Sequence, residues 1–299
     1  MRRRKKAPDP IRDPTGIPAL MKPLFRCGLV VLSLVSVAFG DDAATLYQQG
    51  RDLFHGKGVA KDPVKAREFL QQSSDLGSTD AKTLLSFMMA QGLGGPKDPA
   101  AAFKLVHEAA ESGNAEAIVN LGAMLQAGIG TTKDPSAALG WFEKAAAGGS
   151  VAGQVKLGES HYFGDDGVQQ DFAKALPPLT AAAGSGNARA QAILGSMYEF
   201  GQGVTADRKT ALKWYEAAAR QGDAKSQANL GRVLYTGNPE EQDRVSAYAW
   251  LKLASLKGDT MGSVTLSDVA AGLNEEQKRE ADRRYTELMR TINRPRIGK

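Results

Sequence analysis

Cysteine is nearly absent from this chain: among its 299 residues only Cys27 occurs, inside a short apolar stretch near the start. With no second thiol, the chain can build neither a disulfide framework nor a cysteine-ligated metal site. Histidine is almost as scarce. His55, His107 and His161 have no metal-ligand spacing between them, and His107-Glu108 lacks the second histidine that a zinc-binding helix requires. Ser-x-x-Lys occurs nowhere, so the signature of serine β-lactamases is missing. An excess of charge is missing too, once its position is considered. Lys and Arg number 38 against 33 Asp and Glu, but eight basic and two acidic residues precede Asp41, leaving 30 against 31 from there onward. A near-neutral body gives no reason to expect nucleic acid as a partner.

The early basic residues belong to a leader. Lys22 and Arg26 precede residues 27–40, an uncharged run rich in Leu and Val that is too short to span a bilayer as a stable helix. Ala38 and Gly40 supply the small-x-small pattern of a signal peptidase site ahead of Asp41. We therefore expect residues 1–40 to be a leader with a secretory signal, its true start at Met21 and its cleavage after Gly40; the alternative is an uncleaved N-terminal anchor. The mature chain would be exported, periplasmic or secreted, without membrane insertion.

What the chain does have is a period. Asp62, Asp98, Asp134, Asp171, Asp207 and Asp243 follow one another at 36 or 37 residues, each with Ala four residues later and Gly fifteen residues later. A fixed period of 20 to 50 residues in an Ala-rich, strand-poor chain marks a stack of small helical units. A row of carboxylates could suggest a metal or acid catalysis. The prolines after Asp62, Asp98 and Asp134 favour a plainer reading, in which each Asp is a helix N-cap and Pro takes the first helical position. Each second helix should then carry an anchor three residues after the alanine: Phe69, Leu105, Trp141, Trp214 and Trp250.

The helix before each aspartate has its own pattern. Gly50, Ser86, Gly122, Gly158, Gly195 and Gly231 fall mid-helix, followed three residues later by Leu53, Met89, Leu125, His161, Tyr198 and Leu234. Glycine inside a helix costs up to about 1 kcal/mol against alanine, so its recurrence points to the close approach of a neighbouring helix. Gly56, Gly92, Gly128, Gly164, Gly201 and Gly237 are expected to end these helices in the left-handed conformation. Paired glycines such as Gly201 and Gly203 echo a dinucleotide fingerprint but follow no strand, and read as turns.

The sequence Leu-Gly-x-x-Tyr-x-x-Gly-x-Gly-Val, then Asp-x-x-x-Ala-x-x-Trp and Ala-Ala-x-x-Gly, clearest between Leu194 and Gly222, resembles the Sel-one-like repeat, a relative of the tetratricopeptide repeat. The resemblance implies an all-α, right-handed superhelical solenoid of six to seven antiparallel helix hairpins with a 36-residue period and a C-terminal capping helix. We expect six repeats over residues 41–258, a partial seventh repeat and the capping helix over 259–292, and a loose tail over 293–299. Asn274 should cap the last helix, whose apolar stripe is Ala281, Tyr285, Leu288, Met289 and Ile292. The fourth repeat departs from the pattern, with an extra residue near Asp165-Asp166 and with Pro177-Pro178 inside its second helix, which should kink or begin late.

The resemblance also implies a scaffold, a monomer without cofactor or metal that binds another protein or peptide in a concave groove and serves an envelope process. Some secreted relatives are linked to β-lactams, but those are rich in disulfides; a cell-wall-ligand binder or hydrolase in the same groove is the competing reading. With the first helices lining the groove, positions two before, one after and five after the helix glycine face a ligand. The candidate contacts are Asn120, Lys156, Glu159, Phe163, Phe200, Asn229 and Arg232, a mixture of aromatic and hydrogen-bonding groups suited to peptides.

Overall fold

A computed structural model describes residues 42–164, 167–237, 240 and 242–292. Among these residues it is all α-helix with no strand. The first helices of the repeats are α1 (Ala43–His55), α3 (Thr79–Gln91), α5 (Ala115–Ala127), α7 (Val151–Phe163), α9 (Ala188–Phe200) and α11 (Ala224–Tyr235). The second helices are α2 (Pro63–Asp75), α4 (Pro99–Glu111), α6 (Pro135–Ala147), α8 (Phe172–Gly184), α10 (Arg208–Ala219) and α12 (Arg244–Leu256). Repeat 1 is the α1–α2 hairpin and repeat 6 the α11–α12 hairpin; α13 (Thr260–Ala271) and α14 (Glu275–Ile292) follow. Each helix packs on its hairpin partner and then on the next hairpin, as an α-solenoid requires.

All six repeating aspartates cap second helices. Asp98 and Asp134, for example, accept the N–H groups of Ala101 and Ala137 at 2.9 Å. Pro63, Pro99 and Pro135 stand at the first helical turn, where a missing N–H costs nothing. First helices are capped as well, by Ser78, Asn114, Ser150, Asn187 and Asp223 in repeats 2 to 6.

The helix glycines admit a large residue from the facing helix. A Cβ at Gly122 would stand 2.5 Å from the ring of Phe142, one at Gly195 2.5 Å from the ring of Tyr215, and one at Gly231 2.5 Å from Leu251. These bulky partners are four residues after the repeat alanine, so alanine and anchor share one helix face. The expected anchors one position earlier are displaced from the centre of the core. Trp141 and Trp214 are only partly buried, while Phe142 and Tyr215 are 0% and 1% exposed. Trp250 is buried because α14 covers it.

Four of the six terminal glycines, Gly56, Gly92, Gly128 and Gly201, end their helices in the left-handed conformation. Gly164 instead turns to ψ 171°, and α11 ends at Tyr235 on an extended Thr236, so Gly237 is not its cap. Both departures sit where the loop sequence breaks pattern. The second loop glycine does more than turn the chain. A Cβ on Gly94 or Gly130 would collide with the carbonyl of Pro63 or Pro99, so each loop rests on the first turn of the preceding repeat's second helix.

The proline pair does not delay its helix. α8 starts at Phe172 under the cap Asp171, in the same phase as the other second helices, and runs unbroken to Gly184. The two carbonyls that lose partners belong to Ala173 and Lys174, both exposed, where water can replace the missing N–H groups. Asp165-Asp166, the leader and the tail lie outside the described residues.

The two ends of the stack are finished differently. At the start, Thr45, Gln49 and Asp52 occupy positions that hold Ala81, Leu85 and Met88 one repeat later, giving α1 a polar outer face. At the other end, Asn274 caps α14 by accepting the Gln277 N–H at 2.9 Å while Gln277 accepts the Asn274 N–H at 3.0 Å. α14 packs on α12 rather than closing a hairpin with α13. Its stripe of Tyr285, Leu288, Met289 and Ile292 lies against the cluster containing Tyr215, Trp250 and Leu253, and Lys252 meets Asp282 at 2.7 Å.

Candidate functional site

First helices of neighbouring repeats approach one another more closely than second helices do, which places them on the inner side of the stack. Surface hollows follow that side. The larger one, about 670 Å³, is lined by Tyr47, Arg51, Phe54, His55, Phe87 and Asn120, with the carboxylates of Asp80 and Glu116 on its wall. Its aromatic groups touch edge to face: Phe54 and His55 have ring centroids 4.9 Å apart, Phe54 and Phe87 6.2 Å. The Arg51 guanidinium lies 5.7 Å from the centre of the Tyr47 ring and donates to Gln48 Oε1 at 2.8 Å. Beyond Phe87, which is 47% exposed, a smaller hollow of about 140 Å³ continues past Asn120 to Met124 and Ile129. Aromatic walls with a few polar groups are the usual make-up of a ligand site.

A second hollow of about 120 Å³ lies between α7, α9 and α11, lined by Tyr162, Phe163, Arg189, Ser196, Lys225 and Asn229. Phe163 is 55% exposed, its ring 4.8 Å from that of Tyr162 and under the Arg189 guanidinium at 5.5 Å. Arg189 Nε also donates to Glu159 Oε1 at 2.7 Å, and Lys156 approaches the same carboxylate at 3.6 Å. Tyr162 donates its hydroxyl to Gln202 Oε1 at 2.8 Å, which fixes the back of the hollow.

Of the seven candidate contacts, Phe163 and Asn229 share this hollow, and Lys156 and Glu159 form an ion-paired group beside Arg189. Asn120 lines the larger hollow, and Phe200 stands alone at 62% exposure. Arg232 is held inward. Its guanidinium donates to Glu199 at 2.6 and 2.8 Å, and Tyr215 donates to the same carboxylate at 2.9 Å. Burial, and then the Glu199 charge, push the Tyr215 phenol well above its usual range, so it remains a donor. Arg232 therefore ties α9, α10 and α11 together.

Arg51 and Phe87 were legible in principle, because they occupy the same position, one after the helix glycine, as Glu159 and Arg232. Arg189 and Lys225 were not, because they lie six residues before the glycine, a position left out of the expected face. On the outer side, Glu216, Arg220, Arg284 and Glu287 line a cavity of about 290 Å³ under α14; Arg220 already binds Glu216 at 2.6 Å. Among the described residues no three His, Cys, Asp or Glu side chains are grouped to hold a metal, and no helix is long and apolar enough to cross a membrane.

Compared with known families, residues 46–78, 79–114, 115–150, 151–176, 188–223 and 224–259 match the model described as Sel1 repeat. The fourth match stops one residue before Pro177. A solved Sel1 repeat protein from Oxalobacter formigenes is 30% identical, covering 79% of this chain and 98% of its own, with a TM-score of 0.67. The protein c5321, a protective antigen present in uropathogenic Escherichia coli strains displaying an SLR fold, is 24% identical over 84% of this chain and 69% of its own, at TM-score 0.40. The immunity protein Pa5087 from Pseudomonas aeruginosa is 21% identical over 74% and 85%, at TM-score 0.44. Among curated proteins there is no match.

Proposed function

We propose, from the premise that the chain belongs to the Sel1 repeat family, that it is an exported adaptor that binds a segment of another protein along the inner face of its first helices. Sel1 repeat proteins generally act as protein-binding scaffolds, and the family is generally non-enzymatic. The observation that carries the reading is the larger hollow. The exposed ring of Phe87 and the half-buried ring of Phe54, with the amide of Asn120 between two cavities, offer apolar area and hydrogen bonds on a rigid helical row, which is how groove-binding proteins hold extended or helical segments. The smaller hollow with Phe163 and Asn229 gives the same row a second point of attachment. Two attachment points on one ligand raise its effective affinity beyond either alone.

Export to the periplasm and service to an envelope process rest on the leader, and a single copy of the chain suffices for binding. Crosslinking capture from the native envelope, with the wild type and with Phe87→Ala, Phe163→Ala and Asn229→Ala, tests the assignment. We expect at least one variant to lose more than about 1 kcal/mol of binding, roughly fivefold in Kd, with its melting unchanged. Wild-type capture by all three variants would move the site to the outer face. Mass spectrometry of the captured protein should find an N-terminus at Asp41, and retention of residues 21–40 would overturn the cleavage.

A further inference from the structure

The second residue of each first helix forms a row along the inner face, and its charge reverses midway. From repeat 2 to repeat 6 the row reads Asp80, Glu116, Ala152, Arg189, Lys225. Asp80 and Glu116 wall the larger hollow, where they outnumber Arg51, and Arg189 and Lys225 line the smaller one, where the only carboxylate among the lining residues, Asp223, is engaged as a helix cap. Helix stability does not account for the reversal. The first turn of a helix carries the positive end of the macrodipole, which favours Asp80 and Glu116 and disfavours Arg189 and Lys225. Arg189 recovers part of that cost from Glu159 at 2.7 Å, but no carboxylate is paired with Lys225 among the described residues. Lys156 shares the Glu159 carboxylate with Arg189, so two cations face one anion there and the excess charge stays positive. Salt limits the reach of such charges to about 8 Å, so each half of the groove acts on the part of a ligand that crosses it.

We infer that the groove takes an extended segment whose charge is segregated: basic where it crosses repeats 2 and 3, acidic where it crosses repeats 5 and 6. The inference rests on the groove-binding reading and names the chemistry of the partner. Repeat 4 lies between the two charge pairs, whose centres are three repeats apart. At ~10 Å per neighbouring helix and ~3.3 Å per extended residue, about nine residues lie between them. The basic part also meets the rings of Phe54 and Phe87, where an alkyl ammonium or guanidinium gains contact with aromatic groups.

The test uses synthetic 16-residue peptides of one composition, either with Lys in one half and Glu in the other or with the two alternating, carrying a photo-crosslinker at either end. For the purified protein in low salt we expect the segregated peptide to bind about tenfold more tightly than the alternating one, with the advantage shrinking in high salt. A crosslinker at the Lys end should attach within repeats 1 to 3, and one at the Glu end within repeats 4 to 6. Exchanging the signs with Glu116→Lys and Lys225→Glu together, once melting shows the variant folded, should abolish or reverse that polarity. Equal affinities, attachment in the opposite halves, or no binding by either peptide would overturn the inference. If the sign-exchanged variant still captures the native partner at wild-type strength while Phe87→Ala and Phe163→Ala do not, the groove reading stands and the charge inference falls.

Discussion

In repeats 4 to 6 the charged groups of the inner face are largely bound to one another, whereas in repeats 1 to 3 they border open space. Glu159 is held by Arg189 and Lys156, and Glu199 by Arg232 and Tyr215, so that helices α7 to α11 are pinned through their inner side. Across the first half, Arg51 meets the amide of Gln48 and the ring of Tyr47 but no carboxylate, Asp80 meets the amide of Asn114, and Glu116 has no partner among the described residues. The same helix positions thus serve stability in one half and stay available in the other. The contrast predicts where substitutions will cost folding and where they will cost only binding.

The largest effect should be one that the halves share. Phe142 and Tyr215 fill the space left by Gly122 and Gly195, and both are almost wholly buried. Truncating Phe142 to alanine should cost about 3–5 kcal/mol in denaturant unfolding, and Tyr215→Ala as much or more, since Glu199 also loses a donor. A much smaller loss for Tyr215→Ala would show that the second half is not packed like the first.

The sharpest difference should come from two arginines at one repeat position. Arg232→Ala leaves Glu199, whose side chain is 14% exposed, without its ion pair, and should cost about 1–3 kcal/mol. Arg51→Ala removes a bond to an exposed amide and should change stability by less than about 0.5 kcal/mol. Equal losses in urea unfolding would erase the distinction. Arg232→Ala is therefore a poor probe of binding, although it stands on the face that the sequence pattern selects.

That mismatch shows what the sequence can carry. The period, the aspartate caps, the helix glycines and Asn274 are legible because each is a local rule: a side chain meeting its own backbone or a residue type that only a close contact explains. The central ring of the core was misplaced by one residue, because Trp141 and Phe142 are both large and apolar, and only the angle between two packed helices decides which points inward. The same holds for Pro177-Pro178, whose tolerance depends on the freed carbonyls facing water. The ion pairs cross from one repeat to the next over about thirty residues, as from Arg189 to Glu159, and no helical periodicity reports them. The larger hollow escaped for the related reason that it is assembled from three helices, with four side chains from each of α1 and α3 and two from α5.

A smaller effect separates the halves by pH. Where repeats 1 to 3 place Leu53, Met89 and Leu125, repeat 4 places His161, which is 9% exposed. Burial, with Lys174 nearby, holds its imidazole below the usual 6.5, and Asp171 and Glu143 oppose that shift without cancelling it. The fold keeps His161 neutral, while the unfolded chain takes up a proton below about 6.5. Its contribution is therefore complete above that pH and is lost as the pH falls through the window below it, down to the lowered value in the fold. Replacing His161 with Leu, as at Leu125, should reduce the drop in melting temperature between pH 7.5 and pH 5. An unchanged drop would place the acid sensitivity elsewhere.

The smallest effect on folding belongs to Phe87, and it bears most directly on function. At 47% exposure its ring already meets water, its edge contact with Phe54 is long at 6.2 Å, and it separates two hollows without sealing either. Truncation to alanine removes little buried area and joins the hollows into one wider trough, so stability should move by no more than about 0.5 kcal/mol. A ring placed there for folding would not be left half bare on the inner face. A ring placed there for a ligand would be, since half-exposed aromatic side chains supply much of the energy at protein interfaces. Phe87→Ala should thus melt like the wild type and bind the captured partner at least about fivefold more weakly. A variant that melts several degrees lower would make Phe87 a structural residue, and the first half of the groove would then resemble the second.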